Sequence, residues 1–268
     1  MAKTKVLIAV KTYPTPSSSY DELVCTAGFT EDGKWIRVYP IPFRKLNYVS
    51  QYSKYDWVEI DLVKNTKDIR SESYRPVSLD VDNPIKVIGH IDTKGNWAKR
   101  KEIVLNNVHT DLNALIKEAK DKQTKTSLAV FKPTKIHNFI VKEEKQKDWS
   151  KERKEQLKQM HFFEQKFDVV KKLPYKFSFV FEDEKKKEST LMIEDWETGA
   201  LYWKMLEKYA DEKQACEAVK AKYFDDFAKT KDLYFFLGTT KRNHFRAPNP
   251  FIIIGTFQPK KETQTSLF

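Results

Sequence analysis

In the opening third, short apolar runs alternate with turn formers. Lys5–Lys11 is a continuous run rich in Val and Ile, and Leu23–Phe29 is a second. The turn residues Glu31, Asp32 and Gly33 lead into Lys34–Tyr39, where Trp35, Ile36, Val38 and Tyr39 are strand formers, so a hairpin is predicted there. Tyr55–Val63 alternates like a half-buried strand, and Pro84–His90 is another short run. Pro40 and Pro42 lack backbone donors, which predicts that the strand ends at a sheet edge.

Beyond this region the period changes. Lys99–Asn106 and Asp111–Ala119 carry apolar residues at helical spacing, with Thr110 or Asp111 as N-cap. Thr126–Lys132 and Ile136–Val141 read as strands, and Glu143–Lys158 as a charged, solvated helix or hinge, with Ser150 as cap of the helix that follows it and Glu152 in that helix's first turn. Tyr175–Phe181 is an aromatic strand whose return is Thr190–Ile193. Asp195 stands directly before an apolar helical stripe (Leu201, Tyr202, Met205, Leu206), the place of a cap, and a second helix holds Ala215, Val219, Tyr223 and Phe227. Leu233–Leu237 and Phe251–Phe257 are buried-type strands. The fold class predicted is α+β: a β-rich region over 1–95, a charged and mostly helical connection over 96–165, an α+β region over 166–258, and a flexible tail over 259–268.

Charge adds a partner to this picture. Lys and Arg outnumber Asp and Glu by 49 to 38, a formal net charge of +11. Such a surplus attracts polyanions through counterion release, and DNA is the expected one. The apolar runs are too short to cross a bilayer, no export signal is evident at residues 1–10, and the two cysteines, Cys25 and Cys216, form neither a disulfide framework nor a CxxC pair. A soluble protein of a reducing cytoplasm, associated with the nucleoid and not with membrane, is the expectation.

The last five residues are Gln264, Thr265, Ser266, Leu267 and Phe268, after a polar spacer. They resemble the pentapeptide by which bacterial polymerases and mismatch-repair proteins bind the β sliding clamp, preferred form Gln-Leu-Ser/Asp-Leu-Phe. Thr265 departs from it. The resemblance implies that Gln264 hydrogen-bonds at the mouth of the clamp groove, beside Ser266, while Leu267 and Phe268 fill its apolar pocket.

Two clusters suit nucleic acid. The loop from Gly238 to Arg246 collects Lys241, Arg242, His244 and Arg246 with Thr239, Thr240 and Asn243, an inventory for phosphate oxygens, and Phe245 adds a ring that can stack on a base. The second contains Arg37, Arg44 and Lys45 among Trp35, Tyr39 and Phe43, and alternation puts Trp35, Arg37 and Tyr39 on one sheet face.

Evidence for catalysis is thin. No Walker A loop, dinucleotide fingerprint, nucleophile elbow or zinc spacing occurs, and no cofactor is called for. A metal-dependent nuclease would gather carboxylates around Mg²⁺ or Mn²⁺. Asp195 and Glu197, with Glu194 beside them and Lys241 or His244 from the loop, are the candidates, and Asp56, Glu59 and Asp61 a second set. For Asp195 and Glu197 the competing role is to satisfy a helix start. The predicted function is DNA association at the sliding clamp, in replication, repair, mobile-element targeting or phage defence. The alternatives are a clamp-recruited metal-dependent nuclease and an RNA-binding module.

Overall fold

A computed structural model describes residues 3–17, 21–78, 85–152, 154–155 and 170–262. The architecture is α+β with a strand-rich N-terminal half. In the first sheet, strand β1 (Thr4–Lys11) runs antiparallel between β3 (Asp21–Thr30) and β5 (Asp56–Ile60). The expected hairpin joins β3 to β4 (Trp35–Ile41). Gly33 makes its turn at a φ of 75°, a backbone region open to glycine, and its N–H donates to Thr30 O at 2.9 Å. Short β2 (Thr15–Ser17) pairs with the start of β3.

Strand β6 (Leu62–Lys64) follows β5 after Asp61 alone and pairs with β7 (Ser73–Pro76), which pairs in parallel with β4. Because β5 and β6 are nearly one strand, they connect the two ends of the sheet. The sheet therefore rolls around Val6, Ile8, Ile36, Val38, Val58 and Ile60. Strand β8 (Lys86–His90) flanks β5 on the outside. The proline expectation needs correction: β4 ends at Ile41, but between β3 and β7 rather than at an edge. Its ladder to β7 covers only Arg37 and Val38, so Pro40, in a cis peptide with Tyr39, gives up no bond on that side.

The second sheet has the order β15 (Phe251–Phe257), β14 (Tyr234–Thr239), β10 (Leu128–Phe131), β9 (Val108–His109). It is the central layer. Leu128, Val130, Phe236, Ile254 and Phe257 pack on Leu7, Val10, Ala27 and Phe29 of the rolled sheet. Ala129, Phe131, Phe235, Leu237 and Ile253 face a second core on the opposite side. Burial on both faces is why these strands read as continuous apolar runs without alternation.

That second core is closed by the three-stranded sheet β11 (Lys135–Glu143), β12 (Tyr175–Glu182), β13 (Glu188–Met192), and by helices. Helix α1 (Lys94–Val104) opens with Gly95, Asn96 and Trp97 all left-handed, so its regular turns begin at Ala98. Helix α2 (Leu112–Lys120) has the expected cap, Asp111 accepting from Asn113 and Ala114 N–H at 2.8 and 3.0 Å. Helix α3 (Trp196–Tyr209) is followed by α4 (Glu212–Lys220), which widens into a π-helix over Ala221–Ala228. Among the described residues no helix is long and apolar enough to cross a membrane.

Candidate nucleic-acid interface

The loop between β14 and β15 is built from its inside outward. Thr240 accepts from two later residues through its backbone oxygen, Asn243 N–H at 3.2 Å and His244 N–H at 3.0 Å, and Arg246 and Ala247 N–H then reach Asn243 O. His244 is fully buried, and its Nδ1 shares a 2.8 Å hydrogen bond with the Thr239 hydroxyl. Burial, and the Arg70 guanidinium nearby, hold the imidazole below its usual pKa. A neutral ring thus anchors the loop to the strand that precedes it. Phe245 packs edge-on against this ring at 4.7 Å and keeps 43% of its surface exposed. Lys241, Arg242 and Arg246 point outward, and none has an acidic partner among the described residues. With Phe245 and Ile69 they line an open depression.

Lys241 also forms one wall of a deeper cleft, of about 310 Å³, between the rolled sheet and the central sheet. Alternation along β4 sends Ile36 and Val38 into the roll and Trp35, Arg37 and Tyr39 to the other face. Trp35 is absorbed there by packing on Phe29 and Phe236, with ring centroids 4.1 and 5.6 Å away, whereas Arg37 and Tyr39 line the cleft. Arg37 is buried, and its guanidinium bonds only neutral groups: Ser127 O and Oγ at 3.1 and 3.0 Å and the Cys25 sulfur at 3.4 Å. Its Nε has no partner among the described residues. The Glu72 carboxylate reaches this guanidinium through Ser127, whose hydroxyl donates to it, while the Arg37 backbone N–H donates to Glu72 O at 2.9 Å.

Arg70 supplies a second buried guanidinium. It holds both carboxylate oxygens of Asp68, at 2.9 and 2.6 Å, and donates to Thr239 O, the last residue of β14. Burial opposes ionisation of Asp68, but Arg70 and the Ser73 hydroxyl at 2.8 Å outweigh it and hold the carboxyl down at about 2. The loop over 65–72 is thereby locked to the start of the basic loop.

Tyr13 lines the far end of the cleft. Its hydroxyl donates to Lys171 O at 2.7 Å and accepts from the Trp203 indole at 2.7 Å, and burial pushes its pKa up to about 12. Its ring lies so close to helix α3 that a Cβ at Gly199 would fall 2.2 Å from it, so glycine is required there. Beyond Tyr13 a smaller recess, lined by Trp149, Leu173 and Tyr175, continues the cleft, and Glu194 lies where the two meet. Glu194 is open to the cleft but ringed by protein, which raises its carboxyl.

Other sequence candidates separate from this site. Arg44 pairs with buried Glu22 at 2.8 Å, and it and Lys45 sit on the turn Phe43–Lys45 and do not line the cleft. His244 supports the loop from within and offers no surface to phosphate. Asp195 occupies the N-cap position of α3 without a side-chain cap bond. Its carboxylate instead binds the Lys54 ammonium, at 2.9 and 3.2 Å, which also reaches Glu197 at 2.8 Å. Burial, reinforced by Glu197 and countered by Lys54, raises the Asp195 carboxyl above the usual carboxylate range. The space between these acids, where a divalent ion would sit, is filled by a lysine. The second set is also divided: Asp56 faces inward and bonds His90 Nδ1 at 2.7 Å, while Glu59 alternates to the other face. No group of three or more His, Cys, Asp or Glu suited to a metal occurs among the described residues. Gln264, Ser266, Leu267 and Phe268 lie outside the described residues.

Sequence reasoning missed Arg70, Tyr13, Cys25 and Glu194 as cleft residues. Arg70 had a local signal, an Asp two positions before it and a Ser three after, but nothing nearby told that its partner would be Thr239.

Residues 108–268 match a family model described as a domain of unknown function (DUF8757), and residues 2–106 match a second, also a domain of unknown function (DUF8758). No curated protein matches the chain. A solved structure of a murine DNA-binding protein bound with double-stranded DNA aligns over 98% of each chain at 11% identity with a TM-score of 0.32. A superposition at that level carries neither fold nor ligand across.

Proposed function

We propose that this chain, which belongs to the DUF8757 family, binds DNA through the basic surface that runs from Arg242 and Arg246 over Lys241 into the cleft. The observation that carries the reading is the loop: three cations with no acidic partner among the described residues, and an exposed phenylalanine, on a segment fixed by a buried histidine and two turns. Exposed charge held on a rigid strand-to-strand loop attracts phosphate with no ion pair to break first, and the binding it gives is steeply salt-dependent. The test is the dependence of log K on log salt for a DNA duplex. Exchanging Lys241, Arg242 and Arg246 together for Gln reduces the slope by about 0.9 for each phosphate that is no longer neutralised. A slope equal to that of the wild type sinks the proposal.

The tail supports a place of action. Gln264, Ser266, Leu267 and Phe268 give this DNA-binding protein a peptide for the β sliding clamp, which concentrates it at replicating or repaired DNA. A short peptide gives up conformational entropy on docking, so roughly micromolar affinity is expected. Calorimetry with the purified clamp is expected to give such a value for the wild type and no binding for Leu267→Ala with Phe268→Ala. Equal heats for both proteins would remove the clamp from the proposal.

A further inference from the structure

The cleft behind the loop has features that binding of phosphate alone does not require. Its volume of about 310 Å³ falls within the usual range of small-ligand sites, roughly 300–1,000 Å³. Its two ends differ in chemistry. At the loop end stand Lys241, without an acidic partner among the described residues, and buried Arg37, whose hydrogen bonds go only to neutral atoms. A buried guanidinium without a carboxylate of its own is costly, and an anion at this end would relieve it. The middle is walled by apolar and aromatic side chains, Leu23, Tyr39, Ile252 and Ile254. At the far end, beside the fixed ring of Tyr13, stands the carboxylate of Glu194.

Anion receptor, apolar stretch and hydrogen-bond acceptor follow one another in the order phosphate, sugar and base edge. The geometry points to a nucleotide site: the cleft seats one unstacked nucleotide, its phosphate at Arg37 and Lys241 and an amino-bearing base at Glu194. This inference rests on the DNA-binding reading above and adds the occupant of the cleft. Lys241 belongs to both the outer depression and the cleft, so a strand held by Arg242 and Arg246 is led directly to the cleft mouth. Glu194 also sets a preference. A carboxylate accepts from the exocyclic amino group of cytosine or adenine, whereas the single ring N–H of thymine is flanked by two carbonyl oxygens that repel it.

The test is equilibrium binding of the full chain to short single strands of cytosine or thymine only, at one salt concentration and at a pH where Glu194 is ionised. The wild type is expected to prefer the cytosine strand by about tenfold, the scale of one good base contact. Glu194→Gln, which keeps the shape of an accessible side chain, brings the preference down to about twofold or less, because an amide both donates and accepts. Deoxycytidine monophosphate is the second probe. Competition by the monophosphate at the strand's own affinity makes a free nucleotide the natural occupant, and failure to compete while the cytosine preference persists makes it a nucleotide of the bound strand. Equal affinity for the two strands in both proteins overturns the nucleotide site. If the loop variant still loses its salt slope in that case, DNA binding by the loop stands without it.

Discussion

Two clusters in this protein contain lysine beside hydrogen-bonding groups, and they have opposite fates. Lys54 lies buried between Asp195 and Glu197, its three bonds to their oxygens all between 2.8 and 3.2 Å. Lys241, with Arg242 and Arg246, stands on a surface loop with no acid at hand among the described residues. The first cluster ties the turn after Tyr52 to the start of helix α3, across the two halves of the chain, and its charges are consumed in doing so. The second does no such tying, because His244 and the backbone turns already hold the loop. A basic residue is free to meet a ligand when some other group has taken over its structural work.

The comparison is broken most forcefully at Lys54. Its removal as Lys54→Met takes the directly bonded cation from buried Asp195 and leaves only the more distant Lys11 ammonium beside Asp195 and Glu197, and breaking a buried pair in this way costs up to about 3–5 kcal/mol. Urea denaturation at neutral pH is expected to show a loss of that size, while DNA affinity of the folded fraction is unchanged. If Lys54→Met is as stable as the wild type but loses DNA binding, the two clusters have been assigned the wrong way round. Asp195→Asn beside it separates charge from shape: paired with Lys54→Met it restores much of the loss, because both members of the buried pair are then neutral.

What was legible in the sequence follows from the range of the interactions that decide each feature. The strands β1, β3, β4, β14 and β15 and the cap at Asp111 depend on local pattern, and they stand where the pattern puts them. The basic loop is equally local: it lies between two buried strands and its residues are contiguous. The cleft is not. Arg37 was visible as a cation between Trp35 and Tyr39, but which of the three would be core and which would face a cavity depended on Phe236, some two hundred residues away. Asp195 illustrates the same limit. Its position as cap is local and correct, yet its carboxylate is taken by Lys54, 141 residues distant, which wins because a buried ammonium holds a carboxylate more strongly than two backbone N–H groups do.

A smaller effect is expected from acid at the link between Asp68 and Arg70, which fastens the neighbouring loop to the basic one. A carboxyl whose folded pKa lies at about 2, below its unfolded value of about 3.9, stabilises the fold above the unfolded value. That contribution disappears as pH falls through the folded one. The wild type therefore loses this stability between about pH 4 and pH 2. Asp68→Asn lacks the contribution at neutral pH and has a flatter profile over that window. Parallel profiles for the two proteins, followed by denaturation across the acid range, would show that Asp68 is not held ionised by Arg70.

The smallest expected effect is the most diagnostic of the comparison, because it is a change near zero. Replacing Lys241, Arg242 and Arg246 by Gln breaks no ion pair among the described residues, and surface changes of that kind alter stability by about 0.5 kcal/mol or less. The sign expected is slightly favourable, since three like charges within six residues repel one another in a protein that is already basic. The same variant is the one expected to lose salt-dependent DNA binding, so one protein yields a large change in binding beside almost none in unfolding midpoint. A loss of stability above about 1 kcal/mol would mean that the cations hold the loop in place, and the loss of DNA binding would then report a damaged loop instead of missing phosphate neutralisation. Repeating the denaturation at high salt separates the causes further: screening removes repulsion among the cations, so a stability gain of the variant that vanishes in salt assigns it to their charge alone.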